Sequence, residues 1–245
     1  MSESCGEVTP ASGGPRRRRE LTRLGPVEQL RAGRLTRRLT QLTLGLVLYG
    51  VTLAMMIRST LGNASWDVLH QGLAIHLPIT IGTAVIAMSL VVLLLWIPLR
   101  ELPGLGTIAN SFVVGVVADL TLAVLPAPDA LAPRVLLVLG GVLGNAVATA
   151  AYVGSQLGPG PRDGLMTGLH RRTGLSIGVV RTALEVTVVV IGWLLGGVLG
   201  VGTVVYVLTI GPLVQRLLPV FVVELPGAPA APGEGPAAAP GGDPG

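Results

Sequence analysis

Residues 61–73 read LGNASWDVLHQGL, and residues 157–169 read LGPGPRDGLMTGL. The two stretches share leucine, glycine and aspartate positions at an offset of 96 residues (157 minus 61). The register continues without a gap as far as Gly115 and Gly211, with about 15 identities in about 55 positions. Apolar composition alone does not match an aspartate and a series of glycines in one register, so the chain is a duplicated unit.

The composition of the chain predicts an integral membrane protein. Half of the 245 residues are apolar, 12% are charged and the mean hydropathy is +0.71, which is too apolar for a soluble domain with a polar surface. A helix needs roughly 20 apolar residues to cross a bilayer. Six windows meet this condition, namely 40–57, 79–99, 105–125, 135–154, 175–196 and 203–221. We expect Thr80, Ser176, Thr107 and Thr203 to cap the N-termini of four of these helices.

The number of spans in each unit decides the topology. Residues 40–125 form the first membrane repeat and residues 135–221 the second, with three spans in each. Since three is odd, the second copy enters the membrane from the opposite side. The predicted fold is therefore an all-α integral membrane protein with about six transmembrane helices in two inverted three-helix repeats. Secondary transporters commonly have this architecture, with a binding site near midplane where the repeats meet.

A short polar segment follows the first span of each repeat, at residues 65–73 and 161–169. About 12 helical residues reach only about 18 Å, too short to cross. One interpretation is a pair of re-entrant half-helices that line a site, with Arg162 favouring an anion at a helix N-terminus. The other is a pair of interfacial amphipathic helices, with Asp67 and Asp163 acting only as caps. If the segments did cross, the repeats would have four spans and would be parallel.

Two charged residues lie inside the fifth predicted span. Arg181 and Glu185 are four residues apart and share a helix face, with Glu185 near the middle of the span. Charged groups at this depth are costly and indicate a function, although an ion pair that only neutralises itself is the alternative. Their counterparts in the first repeat are Val85 and Ser89. The predicted substrate-binding residues are Asp67, Arg162, Asp163, Arg181 and Glu185.

The two ends of the chain differ from the apolar middle. All 17 basic residues are arginine, and nine of them precede residue 40. We expect residues 1–39 to be a disordered cytoplasmic arm and residues 225–245, rich in proline, alanine and glycine, to be a disordered tail. The positive-inside rule then places both termini in the cytoplasm. Since the basic charge is concentrated in one arm and aromatic residues are 3%, no nucleic-acid partner is expected.

The sequence contains no pattern typical of an enzyme. The single cysteine, Cys5, lies in the arm, and the three histidines have no metal-binding spacing. No nucleophile–base set, catalytic carboxylate pair or phosphate-binding loop is present. We therefore predict no catalytic residues, no metal site and no cofactor.

Several motifs carry a resemblance to a known family. They are SWD at 65–67, TIG at 80–82, GLGT at 104–107, GPGPRDGLM at 158–166 and RTALE at 181–185. The sequence resembles the YczE branch of the YczE/YyaS/YitT membrane proteins over roughly residues 40–218. The resemblance implies a multi-pass protein of the bacterial plasma membrane, and it implies no particular biochemical activity.

Two functions fit these observations. The first is a transporter-like protein that binds or moves a small polar or anionic solute at the repeat interface. The second is a non-transporting accessory protein that recruits or stabilises a partner enzyme through residues 1–39. Besides the lipid bilayer, the expected partners are the solute, and a second copy or another membrane protein.

Overall fold

The computed structural model describes residues 25–225, and their regular secondary structure is entirely helical. The helices are α1 (Pro26–Arg31), α2 (Leu35–Ser59), α3 (Ser65–His76), α4 (Ile81–Leu99), α5 (Leu105–Val124), α6 (Leu131–Gly154), α7 (Pro161–Thr173), α8 (Ile177–Leu194) and α9 (Val201–Phe221). The first repeat supplies α2 to α5 and the second supplies α6 to α9.

Six of these helices are long and apolar enough to cross a membrane. They are α2, α4, α5, α6, α8 and α9, in agreement with the six predicted windows. The remaining repeat helices, α3 and α7, have 12 and 13 residues and are the short segments of the sequence pattern. The predicted all-α membrane fold is therefore confirmed.

The N-terminal boundary differs from the sequence-based expectation. Helix α2 begins at Leu35, inside the segment assigned to the disordered arm, and α1 precedes it. The reason is Arg38, which is fully buried and donates from Nε to the carbonyl of Ser155 and from a terminal nitrogen to the carbonyl of Gln156, both at 2.7 Å. Residues 1–24 and 226–245 lie outside the described part, so the rest of the arm and the tail stay predictions.

The first helices of the two repeats, α2 and α6, pack against each other in antiparallel orientation. A Cβ placed on Gly45, in the N-terminal half of α2, would lie 2.9 Å from the backbone nitrogen of Tyr152, near the end of α6. Towards the other end, a Cβ on Gly141 would lie 2.7 Å from Cγ of Met56. Small residues in membrane helices allow backbones to approach this closely.

The loops before the short helices contact the opposite repeat in a reciprocal way. The amide of Gly106 donates to the carbonyl of Leu157 at 2.7 Å, and the amide of Gly202 donates to the carbonyl of Leu61 at 2.9 Å. These two bonds join the same pair of positions with the repeats exchanged, because 61 and 157, like 106 and 202, are 96 residues apart. Each repeat therefore anchors the short helix of the other.

Helix capping agrees with the sequence at two positions and differs at two. The hydroxyls of Thr80 and Ser176 accept from backbone amides in the first turns of α4 and α8, which confirms both caps. Thr107 and Thr203 are instead the third residues of α5 and α9, so the predictions for them were wrong. The hydroxyl of Thr107 donates to the carbonyl of Pro159 at 2.7 Å, because a hydroxyl inside the first turn can reach the loop of the other repeat.

The short helices pack across the repeat boundary, α3 against α8 and α7 against α4. At the first crossing Gly192 of α8 lies against the backbone of Leu69. At the second crossing the ring of Trp96 lies over Gly164 of α7. Trp96 and Gly192 occupy the same position in the two repeats. At the α3–α8 crossing the small residue is on the long helix, α8, whereas at the α4–α7 crossing it is on the short helix, α7. This packing holds the start of α7 against the end of α4.

Candidate functional site

A cavity with both polar and apolar walls lies where the repeats meet. Its walls come from α2 to α5 of the first repeat and from α6 and the start of α7 of the second. The cavity has a volume of about 60 Å³, which is room for a few waters or a small solute. The polar and aromatic lining residues are Tyr49, Trp66, Asp67, His70, Ser89, Asn110, Tyr152 and Arg162.

Arg162 supplies a permanent positive charge to the cavity, because an arginine side chain stays protonated in proteins. It is the second residue of α7, and its guanidinium carbon lies 5.8 Å from the centre of the Tyr49 ring. Its ion pair with Asp163 is loose, with 4.0 Å between Nε and Oδ1. The other oxygen of Asp163 accepts a hydrogen bond from the Tyr152 hydroxyl at 2.9 Å. The Asp163 carboxylate is thereby held beside α6.

Trp96 positions the start of α7. Its side chain is 2% exposed, and its indole Nε1 donates to the carbonyl of Pro161 at 3.0 Å. Pro161 directly precedes Arg162, so this bond fixes the backbone that carries the guanidinium. Trp96 is a positioning residue that the sequence analysis did not identify, because an apolar span gives no sign that its tryptophan faces inward.

Replacing Trp96 with phenylalanine is expected to destabilise the protein by about 1–3 kcal/mol, because a buried carbonyl loses its donor and a small void forms. Thermal unfolding in detergent measures this change. The matched control is Trp193→Phe, since Trp193 is 60% exposed on α8. Equal effects of the two substitutions would contradict the positioning role of Trp96.

Asp67 and His70 form the polar wall contributed by α3. His70 Nδ1 lies 3.2 Å from Asp67 Oδ1, and both side chains are buried.

The proposal that Asp67 and Asp163 act as helix caps was wrong. Each is the third residue of its helix, and neither N-cap residue, Ala64 or Gly160, makes a side-chain capping hydrogen bond. The aspartates contact side chains instead, Asp67 that of His70 and Asp163 that of Tyr152.

The structure separates the predicted site residues into two groups. Asp67, Arg162 and Asp163 lie at or beside the cavity. Arg181 and Glu185 form an ion pair on α8, with 3.1 Å between Nε and Oε1, and they do not line the cavity. The Arg181 side chain is 49% exposed on this face of α8.

Tyrosines and an asparagine complete the surroundings of the cavity. Tyr49 and Tyr152 pack edge to face with 6.2 Å between ring centres. The Tyr206 hydroxyl donates to Oδ1 of Asn145 at 3.1 Å, and the Asn145 amide lies 3.3 Å from the hydroxyl of Thr52. The sequence analysis did not assign the tyrosines to the site. Tyr49 lies in the middle of its apolar span rather than at the interfacial belts that tyrosine prefers, and this position is a signal that could have found it.

Four of the six apolar spans and both short helices line a cavity that contains a buried aspartate and a half-buried arginine, and the six spans define a multi-pass membrane protein in contact with the lipid bilayer. Residues 36–219 match the family described as a family of unknown function (DUF6198), and the chain belongs to that family.

Two curated bacterial proteins are similar to this chain. An uncharacterized protein of Haemophilus influenzae is 41% identical over 188 residues, which cover 77% of this chain and 86% of the relative. The "Uncharacterized membrane protein YczE" of Bacillus subtilis is 30% identical over 172 residues, which cover 70% and 80%. No solved structure matches the chain. The predicted resemblance to the YczE proteins is confirmed.

Proposed function

We propose that this protein binds a small anionic solute in the cavity between its repeats and moves it across the membrane. The observation that carries the proposal is the placement of Arg162, which reaches the cavity from the first turn of α7 at the junction of the two repeats. No catalytic role is assigned to any residue of the cavity.

The preference for an anion rests on two features of α7. The amides at the start of a helix carry a partial positive charge, and the cavity is lined by Gly160 and Pro161 at this helix end. The Arg162 guanidinium adds a full charge and several donors at the same place. Asp67 and His70 on the α3 wall provide hydrogen-bonding groups for a second polar part of the solute. A small solute with one anionic and one polar group fits this arrangement.

The transport part of the proposal rests on the repeats. If α2 and α6 both cross the bilayer, their antiparallel packing makes them cross in opposite directions, which supports inverted repeats. A central site between inverted repeats is the usual basis of alternating access. We place the protein in the bacterial plasma membrane with both termini in the cytoplasm, as the arginine distribution favours.

Ligand-dependent thermal unfolding of the detergent-solubilised protein tests the proposal. A panel of small anions is compared with neutral compounds of the same shape, and at least one anion is expected to raise the unfolding temperature saturably. Arg162→Gln should abolish this rise. Arg172→Gln on the exposed end of the same helix should keep it.

Two outcomes would count against anion binding at Arg162. One is a panel in which neutral compounds stabilise the protein as much as anions do. The other is a ligand effect that survives in Arg162→Gln as fully as in Arg172→Gln.

The alternative function, a membrane accessory protein, stays a prediction. It depends on residues 1–39, of which the structure describes only residues 25–39. Co-purification of a partner protein that is lost on removal of residues 1–24 would favour it.

A further inference from the structure

One pair of helices departs from the symmetry of the repeats. In the first repeat α4 packs along α5, and the backbones touch at Gly82 and Gly115. The repeat counterparts of these glycines are Gly178 on α8 and Gly211 on α9. A Cβ placed on either of them would meet no atom within 4 Å in the described part of the chain. The second repeat therefore keeps both contact glycines but holds α8 and α9 apart.

The polar residues that join α4 to α5 have hydrogen-bonding counterparts on α8 and α9. Asp119 on α5 accepts hydrogen bonds from the hydroxyl of Thr80 and from the amide of Gly82, at 2.8 Å for the latter. The counterparts of Asp119 and Thr80 are Gln215 and Ser176, a hydrogen-bonding pair that could join in the same way. Gln215 is exposed on α9. The surface of α8 thus matches the surface of α9 in both small residues and polar groups.

The cavity residues show what closure of α8 on α9 would do. Val85 and Ser89 of α4 line the present cavity, and their counterparts on α8 are Arg181 and Glu185. If the second repeat adopted the arrangement of the first, these two charged residues would line the cavity instead. Trp66 and Arg162 are counterparts of each other, and both line the present cavity. They would therefore belong to the site in both arrangements.

Two polar groups are poorly placed in the present arrangement and would be better placed in the other. The hydroxyl of Thr149 is buried and makes no hydrogen bond to the described residues. Its counterpart is Leu53, a cavity residue, so closure would bring Thr149 to the cavity wall. Arg181, whose side chain is half exposed, would likewise leave the outer face of an apolar helix, where charges are costly.

We propose that the protein has a second conformation in which α8 packs on α9 as α4 packs on α5, and Arg181 and Glu185 join the solute site at Arg162. This inference rests on the proposed function, because it adds two charged residues of the second repeat to the proposed solute site. When the two repeats exchange these arrangements, the site opens to one side of the membrane and then to the other, while Arg162 stays in place.

Cysteine cross-linking in membranes tests the second conformation without any solute. In a Cys5→Ser background, Ser176→Cys with Gln215→Cys is expected to form a disulfide within one chain under mild oxidation. Both positions are exposed in the present arrangement, so the variant is expected to fold. The positive control is Thr80→Cys with Asp119→Cys, which replaces two side chains already in contact. The negative control is Ser176→Cys with Arg216→Cys, because Arg216 lies on the α9 face that lines a groove with α6.

The result expected is an intrachain disulfide in the test pair and in the positive control, and none in the negative control. A disulfide between two chains would show that a second copy covers α8, and this would overturn the proposal. So would a test pair that stays reduced while the positive control is oxidised. Because no ligand is present, either result leaves the outcome of the Arg162 binding experiment unchanged, and the two proposals fail separately.

Discussion

Gly164→Val is expected to leave little or no folded protein in the membrane. A Cβ at Gly164 would overlap the six-membered ring of Trp96, which is 2% exposed and is fixed by its bond to Pro161. Neither partner can move without shifting the start of α7 or the end of α4. Overpacking at such a crossing is expected to cost at least about 3 kcal/mol, a large part of the stability of an ordinary protein.

The yield of monodisperse protein after solubilisation measures the effect of Gly164→Val. Gly178→Ala on α8 is the matched control, since a Cβ at that helical glycine meets no described atom within 4 Å. Shortening the other partner, as in Gly164→Val with Trp96→Leu, should recover part of the yield. A single Gly164→Val variant with normal yield and unfolding temperature would contradict the packing of α7 on α4.

Arg38→Leu is expected to destabilise the protein by roughly 3 kcal/mol or more. The guanidinium donates to the carbonyls of Gln29, Ser155 and Gln156, and two of these carbonyls follow the C-terminus of α6. Leucine would fill part of the space but would leave three acceptors without this donor, each at a cost of about 1–3 kcal/mol if it stays dry. The unfolding temperature in detergent should fall accordingly.

The neighbouring residue provides the control for Arg38. Arg37 carries the same charge on the same helix but is exposed, so Arg37→Leu should change the unfolding temperature little. If both substitutions had the same small effect, Arg38 would be part of a solvated arm, as the sequence alone indicated. If only Arg38→Leu destabilises, the folded unit begins before residue 40.

The spans could be predicted from the sequence because their signal is local. Each is an apolar run bounded by turn residues, and five of the six begin within four residues of the predicted window. Helix α2 is the exception, because its first turn is polar and is stabilised by the distant carbonyls that Arg38 reaches. Contacts between residues more than 100 positions apart leave no local pattern.

Part of the candidate site was also accessible from the sequence. The repeat and its short polar segments indicated Asp67, Arg162 and Asp163, because charge and glycine are unusual between apolar runs. The sequence could not separate them from Arg181 and Glu185, since the distance of α8 from α9 is a tertiary feature. Hydrophobic periodicity does not report such separations.

The membrane sides of the two short helices test the central claim most directly. Single cysteines replace His76 at the end of α3 and Thr173 at the end of α7, both exposed positions, in a Cys5→Ser background. An impermeant maleimide is then applied to intact cells. The inverted arrangement predicts that His76→Cys labels in intact cells and that Thr173→Cys labels only after permeabilisation. Labelling of both positions from the same side would contradict inverted repeats and, with them, a transport site between the two halves.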